Sequence, residues 1–77
     1  MSEPSIDRGT LRLNVVGRWE IVDSRGRPLA ELTSGDVVFV DVAGSMRLTR
    51  IEHEHGRGYV SVDGYRLADG VEAALPT

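Results

Sequence analysis

A chain of 77 residues holds one domain and buries only roughly 60–65% of the surface its unfolded form exposes, so its core is small. It has no cysteine, which excludes disulfides and thiolate metal sites as supports, and a net charge of −3 lacks the basic footprint of a dedicated nucleic-acid binder. All nine basic residues are arginine, a usage that fits a GC-rich genome better than an arginine-built recognition surface.

The absence of cysteine fits a cytoplasmic protein. No apolar run approaches the ~20 residues of a membrane span. Residues 1–8 lack the apolar centre of a signal peptide and read as a disordered tail ahead of a single domain over residues 9–75.

Turn signals recur about every ten residues, with short β-type runs between them. Residues 10–14 alternate, with Leu11 and Leu13 on one side. Asn14 and Gly17 bracket a turn, and residues 18–22 alternate again, placing Trp19 and Ile21 on one face. Asp23-Ser-Arg-Gly26 is a second turn, in which the aspartate bonds its own backbone and Gly26 supplies the left-handed position. Residues 27–32 are extended, with Pro28 marking an edge strand.

Thr33-Ser-Gly-Asp36 leads into the valine-rich strand Val37–Val42, and Ala43-Gly44 reverses the chain into residues 45–54. A looser connection at His55-Gly-Arg-Gly58 precedes a strand over residues 59–62. Asp63-Gly64 signals a two-residue hairpin returning through residues 65–67. A turn at residues 68–70 and a closing strand over residues 71–75 complete the domain.

No helix-period segment exceeds one turn. The expected fold is therefore all-β: a small SH3-like barrel of five to seven short antiparallel strands, which hides most of its edges. The expected core is Leu11, Leu13, Ile21, Leu32, Val38, Val40, Ile51, Val60, Val62 and Leu67.

Several motifs fall in a familiar order: Gly9-Thr-Leu11, Gly17-Arg-Trp19-Glu-Ile21, Leu32-Thr-Ser-Gly-Asp36, Val40, Gly44, Thr49-Arg-Ile-Glu-His53 and Gly58-Tyr59. Over residues 9–70 the chain resembles a small bacterial family catalogued as domain of unknown function 5348. That family usually carries Asn-Gly or Asp-Gly at the central turn and an aromatic two residues later. Here those positions hold Ala43-Gly44 and Met46. The resemblance implies a compact β domain, often carried on phage or conjugative-element DNA, and implies no reaction.

Alternation along the central hairpin puts Val38, Val40 and Val42 on one face, and Val37, Phe39 and Asp41 on the other. With the valines inward, Phe39 points out. A two-residue loop at Ala43-Gly44 sets Phe39 opposite Leu48 with Met46 nearby, whereas a three-residue loop sets it opposite Arg47. Phe39, Met46 and Leu48 then form an exposed apolar cluster of the kind that marks an interface. The competing arrangement is a covered Phe39, or Phe39 in the core with the valines outward.

Trp19, paired with Ile21, reads as a core anchor. His53 and His55 share one side of a strand, but two ligands are too few for a closed metal site, and a solvated charged strand end is the simpler reading. Arg25, Arg27 and Arg47 are the candidate nucleic-acid contacts, beside the alternative of scattered solubilising charges. No serine lies in a nucleophile elbow, and no glycine-rich phosphate loop opens a helix. The expectation is a non-catalytic module without cofactor or metal, binding an unidentified protein partner away from any membrane, with self-association open and nucleic-acid binding as the alternative.

Overall fold

The computed structural model describes residues 8–76. Seven strands follow one another: β1 (Arg8–Leu13), β2 (Trp19–Val22), β3 (Pro28–Glu31), β4 (Val37–Val42), β5 (Ser45–Glu54), β6 (Gly58–Ser61) and β7 (Glu72–Ala74). The described residues contain no helix, and hence none long and apolar enough to cross a membrane. The tail expected over residues 1–7 lies outside the described residues. Arg8, read from sequence as tail, opens β1 and pairs with Ala74.

Every strand pairing is antiparallel, in the order β3-β2-β1-β7-β4-β5-β6. The sheet curls into the half-barrel of a small SH3-like domain. The bending strand is β5. Its first part, Ser45 to Arg50, pairs with β4, and its last part, Ile51 to Glu54, pairs with β6. A ten-residue strand thus serves two neighbours, so the sheet folds over without a separate connection. The turn at residues 33–36 lies along the bend: the Ile51 amide donates to Asp36 O at 2.8 Å, and Ile51 O accepts from the Gly35 amide at 2.8 Å.

The concave side holds the core. Leu11, Ile21, Leu32, Val38, Val40 and Ile51 are each under 2% exposed, and Ala73 joins them where β7 crosses. Burying such side chains contributes about 1.5–3 kcal/mol each, before the entropy cost of ordering the chain. Gly9 has a packing reason. A Cβ there would collide with the Val22 carbonyl, where the β2–β3 register shifts between Ile21 and Val22.

Four expected core positions differ. Leu13 is 49% exposed because β1 there outruns the cover of its neighbours, and Val62 is 47% exposed because it follows β6 on the side of exposed Arg50, opposite the side taken by buried Ser61. Val60 and Leu67 are half-buried. The Asp63-Gly64 hairpin is absent, and residues 65–67 form no strand. Instead residues 61–64 make a turn closed by the Gly64 amide on Ser61 O, 3.0 Å.

The hydroxyl of buried Ser61 takes the amides of Asp63 and Tyr65 at 3.2 and 3.4 Å, which captures the backbone that a returning strand would need. The proton directions follow by elimination. Asp63 Oδ2, as a carboxylate oxygen, accepts from Thr49 at 2.7 Å, which uses the single Thr49 hydroxyl proton. Ser61 therefore donates to Thr49 across their 2.6 Å contact. This chain of hydroxyls fixes how residues 62–65 leave β6.

Candidate functional site

The central turn settles the hairpin register. Ala43 has φ 52° and Gly44 φ 89°, so both loop residues are left-handed, as a two-residue type I′ connection requires. Phe39 accordingly stands opposite Leu48, and Asp41 opposite Met46. Val38 and Val40 are wholly buried, so Phe39, Met46 and Leu48 share the convex face, joined by Val37. The same row continues across the sheet through Ala74 to Arg8. Leu48 is 51% exposed and Val37 40% exposed, while Phe39 and Met46 are half-buried. The apolar cluster is therefore assembled, with Leu48 rather than Phe39 as its most open member.

The candidate nucleic-acid residues are not brought together. Arg25 and Arg27 occupy the β2–β3 turn, and Arg47 lies on β5, with β1, β7 and β4 between in the strand order. Asp23 organises that turn: its Oδ1 accepts the amides of Arg25 and Arg27 at 2.8 and 2.9 Å. The Arg27 amide bond, above all, holds the Asp23 carboxyl below its ordinary value.

Of the nine arginines, six stand in ion pairs: Arg8–Glu72, Arg12–Glu20, Arg18–Glu31, Arg27–Asp23, Arg50–Glu52 and Arg57–Glu54. Among the described residues Arg25, Arg47 and Arg66 are left without a carboxylate, so most of the positive charge is neutralised within the fold. His53 and His55 are exposed, and the His53 ring meets Tyr59 edge-on at 5.0 Å. No group of three His, Asp or Glu side chains converges among the described residues.

A second site was not visible in the sequence. Where the sheet ends approach each other, Trp19 Nε1 donates to the Tyr59 carbonyl at 3.0 Å. Arg18 reinforces this seam, reaching Tyr59 Oη at 3.4 Å and Glu31 at 3.1 Å. That arginine, followed by Thr33, lowers the Tyr59 hydroxyl below its ordinary pKa.

Beside the seam lies an open groove of about 460 Å³, lined by Trp19, Tyr59, Tyr65 and Leu67, with Arg57 and Arg66 at its lip. Three of the four aromatic residues of the chain gather here. The available signal was their chemistry, but Trp19 read as core and Tyr65 as hairpin. Only the turn at residues 61–64 carries Tyr65 round to face Trp19's strand end.

No family model, curated protein or solved structure matches this chain. Its two candidate surfaces therefore rest on geometry: the convex face around Leu48 and the aromatic groove beside the Trp19–Tyr59 seam.

Proposed function

We propose that this chain is a non-catalytic protein-binding module that docks a protein partner through the convex face of β4 and β5. The observation that carries the reading is the pairing of Phe39 with Leu48 on the face opposite the buried Val38 and Val40. Contiguous apolar side chains on the outside of a small domain are costly unless a partner covers them. The likeness to domain of unknown function 5348 adds the proposal of a cytoplasmic adaptor or inhibitor encoded on a bacterial mobile element.

The buried polar side chains support a structural rather than catalytic use. Glu20 is engaged by Arg12 at 2.7 Å, and Thr49 and Ser61 are engaged by each other. Nucleic-acid binding has less support, since the free arginines are dispersed and phosphate contacts need clustered positive charge.

Affinity capture from bacterial lysate, with wild type and Leu48→Asp side by side, tests this. The reading expects a nuclease-resistant protein partner that survives moderate salt and is lost with Leu48→Asp. Capture unchanged by Leu48→Asp, or abolished by nuclease, would replace it. Sedimentation of the pure protein separates a foreign partner from a second copy: concentration-dependent dimers dispersed by Leu48→Asp would make the face a homodimer contact.

A further inference from the structure

We infer that the groove beside the Trp19–Tyr59 seam is a second binding site, built for an extended, proline-containing peptide segment that carries a carboxylate. Two polar handles of its aromatic walls are already used inside the fold. The Trp19 indole N–H is spent on Tyr59 O, and the Tyr59 hydroxyl is held by Arg18. What Trp19 and Tyr59 offer a ligand is therefore ring face rather than hydrogen-bonding edge. Flat apolar faces suit pyrrolidine rings on a polyproline II backbone, whose pre-set conformation loses little entropy on binding.

Charge narrows the ligand further. Arg57 is held by Glu54 at 3.0 Å, whereas Arg66 is exposed and has no ion-pair partner among the described residues. Arg66 also borders a neighbouring hollow of about 240 Å³ lined by Asp41, Val42, Ala43 and Val71. It is thus the ridge between two depressions, a position that a straddling extended chain can reach and a compact molecule cannot. One free guanidinium matches one carboxylate. A polyphosphate strand would meet Glu54 and Asp41 beside that single cation, in a chain of net charge −3.

The test uses the whole protein and a synthetic peptide of Pro-Pro-Glu triplets, in which the three-residue period aligns the carboxylates along one edge. Binding is followed by amide NMR shifts and by the fluorescence of the single tryptophan. The expected result is saturable shifts confined to Trp19, Tyr59 and residues 64–67. A Pro-Pro-Lys peptide should bind at least about tenfold more weakly, and Arg66→Glu should reverse that preference. Tyr65→Ala should weaken both peptides.

Arg66 is exposed, so Arg66→Glu keeps the fold and reads the charge contact even if Tyr65→Ala unfolds. Leu48→Asp should leave peptide binding intact, which separates this site from the convex face. Three results would overturn it: no shifts at millimolar peptide, equal affinity for the Glu and Lys peptides, or tighter, salt-steep binding of oligothymidine in the same groove.

Discussion

The Trp19 indole N–H donates to the main-chain carbonyl of Tyr59 at 3.0 Å, joining the start of β2 to the edge strand β6. The neighbouring residues give the reason for this bond. Tyr59 is a non-hydrogen-bonded position relative to β5, because the Val62 amide on Arg50 O sets the alternation along β6. Its carbonyl therefore points off the edge. A single side chain satisfies it and blunts the open edge of the half-barrel.

Trp19→Phe keeps an aromatic ring and removes the donor, so Tyr59 O loses its partner. The expected cost is about 1–3 kcal/mol, read as a lower midpoint in denaturant with unchanged slope. An unaltered midpoint would mean that water replaces the indole without loss.

The Thr49–Ser61–Asp63 chain makes a second test. Thr49→Val is nearly isosteric and strands the buried Ser61 hydroxyl without its acceptor. A loss of about 1–3 kcal/mol is expected. Adding Ser61→Ala should cost less than the two single losses together, with a coupling of about 0.5–3 kcal/mol in a double-mutant cycle. Strict additivity would show that the hydroxyls act independently.

Ala43 occupies a left-handed conformation that costs an L-residue roughly 1–2 kcal/mol, against about 0.5–1 kcal/mol for the extra chain entropy of glycine. Ala43→Gly should therefore raise stability by up to about 1 kcal/mol, and Ala43→Asn should also gain. A fall in melting temperature for both would contradict the two-residue turn.

Asp23 gives the fold an acid-sensitive corner. Its folded pKa lies below the ordinary 3.8, chiefly through the Arg27 amide. A depressed carboxyl stabilises the fold fully above the unfolded value and loses that contribution as pH falls through the folded one. The stability gap between wild type and Asp23→Asn should thus be constant near neutrality and shrink below pH 3.8. Thermal melts across the acid range check this; a gap that widens on acidification would reverse the sign.

Much of the fold was legible because turn chemistry punctuates it. Gly17, Gly26, Gly35 and Gly44 all take the positive φ their turns require, and the period-two pattern places Val38 and Val40 inside. The failures have local causes. Alternation counts Leu13 as core but does not say where a neighbouring strand stops covering it, and along β6 it gives Val60 and Val62 the inner face that Ser61 takes opposite Ile51. Asp63-Gly64 carries the chemistry of a hairpin, and the Ser61 hydroxyl competes for the same amides and wins. The convex cluster was readable from β4 alone once the register was fixed. The groove was not, since it joins Trp19 to Tyr59 and Tyr65 across forty and more residues through a seam with no sequence signature.

The orientation of the central hairpin has its own stability signature. Val40→Ala removes buried volume and should cost about 2 kcal/mol, whereas Leu48→Ala, on the open face, should stay within about 0.5 kcal/mol. Phe39→Ala, half-buried, should fall between them. The opposite ranking in urea melts would mean that the faces are interchanged.

The most direct measurement is site-specific photo-crosslinking in living bacterial cells. Benzoylphenylalanine replaces Leu48 in one protein and the fully exposed Val15, in the β1–β2 turn, in a control. Docking through the convex face predicts a discrete adduct with another protein from position 48 and none from position 15. No adduct from position 48, or the same adducts from both positions, would contradict it.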